Sequence, residues 1–254
     1  MQILYYDCFC GISGDMNLAA LIDLGVPKEY LVQELSKLNL NSEYKLIIDN
    51  STKLGITGTR VNVNLKEHNH SHEGHVHNHE HHHRNLKDIE EIINSSDLSD
   101  KVKKLSLDMF MKVAEAEAKV HGKSLYEVHF HEVGAADSIV DLVGAAICLD
   151  YLDVDKIIAS PVQVGGGFVK CAHGLMPVPA PATSEILKNI PINTGIVQFE
   201  TTTPTGAAIL AANVNEFTQK IDFSIKKVGY GIGHRDLEIP NVLRVYLGEF
   251  FVIL

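Results

Sequence analysis

The sequence predicts an α+β (mixed α/β) fold, with a central mixed sheet, packed helices and a disordered His-rich loop outside it. Two observations lead there. Amphipathic helical stretches and alternating strand-like stretches interleave without a strict βαβ repeat. The chain has 254 residues, 45% of them apolar, which is long enough for a real core and shows no internal repeat.

Met1–Tyr6 reads as a short buried strand entering a glycine turn, Cys-Phe-Cys-Gly-Ile-Ser-Gly-Asp. Met16–Leu24 is helical and ends at Gly25 and Pro27; Glu29–Leu38 resumes the helical pattern. Tyr44–Asp49 and Gly58–Leu65 alternate apolar and polar residues and are expected to pair antiparallel around Lys53–Thr57. Asn85–Ile93 and Ser99–His121 are amphipathic helices, the second carrying Val102, Leu105, Met109, Val113 and Ala116 on one face. Val128–His131 predicts a short strand and Ser138–Leu152 a strongly apolar helix. A strand near Lys156–Ser160, a glycine turn at Gly165–Gly167, a proline-opened helix through Leu187 and a helix over Thr205–Ala212 follow. Strands near Phe223–Val228 and Val242–Leu247 close the pattern.

The formal charge of −10 argues against nucleic acid or an anionic membrane as the main partner. The first residues lack the basic start and apolar stretch of a signal peptide, and no uncharged apolar run reaches the roughly 18 residues that span a bilayer. Cys8, Cys10, Cys148 and Cys171 have no zinc-ribbon or C-x-x-C spacing, so a cytoplasmic chain with reduced thiols is expected.

Nine histidines fall within the sixteen residues from His68 to His83: His68, His70, His72, His75, His77, His79, His81, His82 and His83. Imidazole offers a neutral nitrogen ligand near pH 7 and suits zinc, copper, nickel and iron. The run is internal and broken by other residues, unlike a cloning tag. The competing reading is a solvated low-complexity loop. Too polar to fold alone, the segment is expected to be a flexible loop.

A second constellation is His129-Phe-His131-Glu132-Val-Gly-Ala-Ala-Asp137-Ser-Ile-Val-Asp141. On a strand, residues i and i+2 share a face roughly 6.6 Å apart, so His129 and His131 can converge on one ion. Asp137 and Asp141 share a helix face at i, i+4. Together they make a metal or acid–base site, against the plainer reading of core histidines and Asp137 as a helix N-cap. Gly11, Ser13, Gly14 and Asp15 lie where a strand turns into a helix, where backbone N–H groups can cradle an anion. Those glycines equally suit positive φ in a tight turn, and Asp15 can simply favour the helix start. The P-loop lysine is missing. Cys8 and Cys10 share a face and are either soft ligands or inert core thiols. His173 follows the Gly165–Gly167 turn and precedes a proline-stiffened stretch. Thr203, Thr205 and Gly206 open a helix that suits a phosphate or is merely well capped. His234 and Arg235 can add positive charge to the same pocket.

Five motifs in order, C-F-C-G-I-S-G-D-M, H-F-H-E-V-G-A-A-D-S-I-V-D, H-G-L-M-P-V-P-A-P-A-T, T-P-T-G-A-A-I and G-Y-G-I-G with P-N-V-L-R, closely resemble the nickel insertion proteins of the nickel-pincer cofactor pathway, the LarC family. The resemblance runs from residue 3 to about residue 249, and a His-rich loop after the hairpin also looks like that family. It implies a cyclometallase that places Ni(2+) into pyridinium-3,5-bisthiocarboxylic acid mononucleotide, making two Ni–S bonds and one Ni–C bond, to mature enzymes similar to lactate racemase. It also implies dependence on CTP and on Mn(2+) or Mg(2+). Relatives continue into a C-terminal domain carrying the CTP site, whereas this sequence ends in Phe250-Phe-Val-Ile-Leu. We therefore expect an N-terminal part that works with the C-terminal half of the same protein. The expected divisions are 1–67, an N-terminal α/β segment with hairpin; 68–84, the metal-binding loop; 85–249, the main α+β segment; and 250–254, a tail outside the family pattern. Forming a metal–carbon bond releases a proton, which His129, His131 or Glu132 can accept. The alternatives are a non-enzymatic nickel storage or delivery chaperone, or a metal-dependent hydrolase built on His129 and His131.

Nickel held by the intact chain but not by a chain lacking 68–83 is expected to be largely released between about pH 7.5 and about pH 5.5, because protonated imidazole cannot ligate. Retention at the lower pH, measured by metal stoichiometry, would assign that metal to other donors.

Overall fold

The computed structural model describes residues 1–66, 84–128, 130, 133–171 and 173–250. The histidines from His68 to His83, and His129, His131 and Glu132, lie outside the described residues.

The chain opens with β1 (Gln2–Asp7), which passes through the glycine turn into α1 (Gly14–Leu24); α2 (Lys28–Ser36) follows. A hairpin, β2 (Tyr44–Lys53) and β3 (Ile56–Leu65), pairs antiparallel along its whole length. Its turn is two residues, Leu54 and Gly55, both at positive φ, and is tighter than the expected Lys53–Thr57. Two left-handed residues match the twist of the flanking strands, so pairing continues to the tip. Then come α3 (Leu86–Ser95), α4 (Asp100–His121) and α5 (Ala136–Leu152). Asn85 and Asp88 form a capping box on α3, Ser99 caps α4, and Gly122 ends α4 in the left-handed region, so both helices start on sequence signals and α4 also stops on one.

Short elements follow: β4 (Lys156–Ala159), β5 (Val162–Gln163), β6 (Phe168–Cys171), β7 (Gly174–Pro177), α6 (Pro181–Ile186), β8 (Ile192–Asn193), α7 (Pro204–Asn213) and β9 (Glu216–Phe217). The chain returns through β10 (Phe223–Ile232) and β11 (Val242–Phe250). The expected strand at 128–131 is not found among its described residues: Val128 and Phe130 are both buried and lie outside any strand. Strand alternation at one exposed face would put both inward, but here the Phe130 N–H is taken by the Arg84 carbonyl (3.1 Å), not by a ladder partner.

The main sheet has the order β2-β3-β10-β11-β1-β4-β9. β3, β10, β1, β4 and β9 point one way, while β2 and β11 run against them. The period of two along β1 separates its faces. Leu4 and Tyr6 join the large core under the helices, whereas Ile3 and Tyr5 join a smaller cluster with Ile158, Phe223 and Tyr246 on the opposite face. Phe250 completes β11 and packs against that smaller cluster. The large core draws on residues from Leu4 to Leu247. Among the described residues no helix is long and apolar enough to cross a membrane.

Two features of the packing matter for the site. First, α1 lies directly on β10: a Cβ on Gly231 would run into the Met16 carbonyl and the Ala20 nitrogen. Second, both described flanks of the His-rich segment are held at Glu43. The Lys66 N–H donates to the Glu43 carbonyl (2.8 Å), and Arg84 Nη2 reaches the Glu43 carboxylate (2.7 Å). Arg84 Nη1 also donates to the Gly134 carbonyl (3.4 Å), so the base of that segment abuts the residues that bracket 131 and 132.

Gly231→Ala is expected to destabilise the chain by about 1–3 kcal/mol through overpacking at the α1–β10 contact. Urea denaturation with an unchanged m-value would report it; a neutral effect would mean that α1 is not seated on β10.

Candidate functional site

The parallel strands β1, β4 and β10 all end at the same edge, where an open α/β sheet leaves a crevice. The glycine turn follows β1 there, Ser160 follows β4, and His234 follows β10. The Cys8 N–H donates to Ser160 Oγ (2.9 Å), and the Gln163 N–H donates to the Cys8 carbonyl (3.2 Å). These bonds tie the turn to the segment after β4.

Gly11, at φ +78°, has the Thr201 carbonyl where a Cβ would stand, and Gly206 has the Ile12 carbonyl in the same position. The Thr203 N–H donates to the Ile12 carbonyl (3.1 Å). The two turns expected to bind an anion are therefore packed against each other, and their glycines serve backbone approach. Thr201 and Thr202 donate from their hydroxyls to the Gln163 carbonyl at 2.9 and 2.7 Å, which fixes the second turn in place.

The two helix starts differ. At α7, Thr203 Oγ1 accepts from the Gly206 N–H (3.2 Å) and contacts Thr205 Oγ1 (2.8 Å), and Pro204 has no N–H to offer. That N-terminus is satisfied within itself. At α1, Ser13 makes no cap bond, because its hydroxyl donates to Asp15 instead. The first-turn amides of α1 are thus the more open of the two.

Acidic side chains crowd that opening. Gly14 has the Asp141 carboxyl where a Cβ would stand, so α1 and α5 meet there closely. Asp137 lies one turn before Asp141 on α5. It is not the N-cap, which is Ala135, and its Oδ1 accepts from the Ser138 N–H (2.8 Å). Asp141 Oδ1 is sealed from solvent and has no hydrogen-bond partner among the described residues. Burial, reinforced by the charges of Asp15 and Asp137, holds the Asp141 carboxyl well above the usual carboxylate range.

Positive groups face the cluster from the sheet. His234 Nε2 lies 3.0 Å from Asp15 Oδ2. That hydrogen bond raises His234 above the ordinary imidazole value, against burial and the Arg60 charge, which lower it. Arg60 Nη2 donates to the Gly233 carbonyl (3.2 Å), while its buried Nε has no partner among the described residues. Asn17, fully buried, accepts from Tyr6 Oη (2.9 Å) and leaves Nδ2 without a partner among them. Arg60 and Asn17 carry no local spacing that would mark them in the sequence.

Cys8 and Cys10 are core thiols. Burial, aided by Asp7, pushes Cys8 up, and burial pushes Cys10 up to about 11, so neither is a ready thiolate. His173 is placed in the turn between β6 and β7, its ring 4.7 Å from that of His121 at the end of α4. Among the described residues no group of three His, Cys, Asp or Glu side chains is arranged to hold a metal ion.

The profile of the nickel insertion protein family matches residues 4–251. The chain is 82% identical over 249 residues to the pyridinium-3,5-bisthiocarboxylic acid mononucleotide nickel insertion protein of Clostridium kluyveri, covering 98% of this chain and 62% of the relative. It is 76% identical over 270 residues to the protein of that name from Clostridium acetobutylicum (98% and 64%), and 51% identical over 250 residues to that of Akkermansia muciniphila (98% and 61%). The chain spans about three fifths of the length of these curated relatives. No solved structure matches it.

Asp15→Asn is expected to return the His234 titration toward about 6.5, the ordinary imidazole value. Because the folded value is raised, the pairing stabilises fully below about pH 6.5 and fades as pH rises through the folded value. Imidazole NMR checks this, and an unmoved titration would show that Asp15 is not the partner.

Proposed function

The chain belongs to the nickel insertion protein family, and on that premise we propose that it is the part that brings nickel and a thiolated pyridinium mononucleotide together for metal insertion. The substrate is pyridinium-3,5-bisthiocarboxylic acid mononucleotide, the molecule in the relatives' names. The complete reaction takes CTP and Mn(2+) or Mg(2+) and needs the C-terminal part that the longer relatives possess. A reducing compartment, the cytoplasm, is the setting that keeps the four thiols free.

The observation that carries the reading is Asp141, a carboxyl with a raised proton affinity and an unpartnered oxygen at the uncapped start of α1. Insertion breaks one ring C–H bond as the Ni–C bond forms, and the two thiocarboxylates supply the Ni–S bonds. The released proton needs an acceptor, and a carboxylate works best as a base when its pKa approaches the working pH. The Asp141 carboxyl is shifted in that direction by burial, with the charges of Asp15 and Asp137 adding to it. His129, His131 and Glu132, a few residues before α5, are assigned to hold the ion or share the proton transfer.

The nucleotide phosphate is assigned to the α1 side of the crevice. Ser13 and Gly14 contribute the open amides there, Gly11 shapes the turn while its N–H donates to the Cys8 carbonyl (3.0 Å), and His234 and Arg60 offset the carboxylates. Thr203, Thr205 and Gly206 shape the wall by packing on Ile12, and His173 stands on the nickel side. The histidines from His68 to His83 gather Ni(2+) with redundant, exchangeable donors.

The test combines the chain with the remaining C-terminal part of the protein, the precursor, Ni(2+), CTP and Mn(2+). Mass spectrometry should detect the nickel-containing product. Asp141→Asn, which keeps the shape and removes the proton acceptor, is expected to slow insertion by about 10²–10⁴-fold without lowering thermal stability at neutral pH. No product from two folded parts overturns the reading; full activity in Asp141→Asn moves the base elsewhere.

A further inference from the structure

The structure places two imidazoles from distant parts of the chain next to each other, apart from the acidic cluster of Asp15, Asp137 and Asp141. His121 closes α4, and His173 stands in the exposed β6–β7 turn; their ring centroids are 4.7 Å apart with planes tilted by 41°. Behind them, His121 Nε2 lies 3.1 Å from Glu117 Oε2, one helical turn back. Glu117 is only 7% exposed. Withdrawing a carboxylate from water is costly unless it is paired, and a surface imidazole needs no such support merely to be solvated. A carboxylate that grips one ring nitrogen and so orients the other is the usual outer partner of a metal-binding histidine.

The pair also stands at the right end of the molecule. α4 and α5 are antiparallel: Lys101 at the start of α4 pairs with Asp150 (3.0 Å) and Asp153 (2.9 Å) at the end of α5. The last turn of α4 therefore runs toward the first turn of α5, where Asp137 and Asp141 stand.

We propose that His121 and His173, with Glu117 orienting His121, form a two-imidazole docking site for a divalent transition-metal ion beside the crevice. Imidazole donors suit borderline divalent ions and exchange readily, so an ion held by this pair can pass to sulfur ligands of an incoming molecule. That the ion is nickel on its way to the mononucleotide rests on the function proposed above; the docking site itself does not.

The experiment uses the full chain with the nine histidines of 68–83 changed to asparagine, so that the reservoir no longer masks other sites. Calorimetric titration with Ni(2+) alone, without precursor or CTP, should still find binding. His121→Asn and His173→Asn are each expected to weaken it at least tenfold, with Glu117→Gln weakening it by about 10-fold through lost orientation. X-ray absorption should lose one imidazole from the nickel shell in either histidine variant. His173 is exposed in a turn, so its variant keeps the fold, and circular dichroism verifies this for all three. Nickel binding unchanged in both histidine variants, or absent from the parent, overturns the proposal. If binding depends on the pair but the reconstituted system makes no product, the docking site stands and the insertion reading falls.

Discussion

Backbone-to-backbone contact between α1 and β10 is the constraint on which the rest of the molecule depends. At Gly229 and Gly231 the helix comes so near the strand that a methyl group would collide with main-chain atoms of α1. Helices ordinarily stand off a sheet on their side chains, close to 10 Å away. Here the missing side chains let α1 sink, and its first residues arrive beside the α5 carboxyls instead of above them. The same logic holds at Gly14, whose hydrogen faces Asp141. Any larger residue would lift the helix start and open the seal over that carboxyl.

That proximity explains the electrostatics. Three aspartates, Asp15, Asp137 and Asp141, share one end of two touching helices, and full ionisation of all three in a partly sealed space is unfavourable. The fold offsets this at Asp15 with the His234 pairing, while Asp141 is raised first by its burial and further by the two neighbouring carboxylates. Crowding carboxyls in this way costs stability, and strongly shifted carboxyls gather at functional sites more often than elsewhere.

Much of the architecture was legible because local signals agree with tertiary ones. The α3 and α4 starts carry their caps in the sequence, and the spacing of Val102, Met109 and Val113 matches the face that α4 buries. The strand at 128–131 misled because Val128 and Phe130 mimic a period of two while serving as single plugs in a coil. Hairpin β6–β7 has only four residues a side and no clean alternation, so nothing marks it. In the site, Asp137 and Asp141 were readable from helical spacing, and Gly11 and Gly14 from the strand-to-helix turn. Arg60 was not, because it reaches the crevice across the sheet from β3. His121 was hidden as the last residue of an ordinary amphipathic helix; only the arrival of His173 from fifty residues downstream gives it a neighbour.

Glu43 adds an architectural consequence. Its main chain holds Lys66 and its side chain holds Arg84, so the two described flanks of the His-rich stretch are anchored at one residue. With the endpoints pinned together, lengthening the sequence between them carries only a logarithmic entropy penalty. The length and spelling of the sequence between Lys66 and Arg84 can therefore change at little cost to the sheet and its crevice.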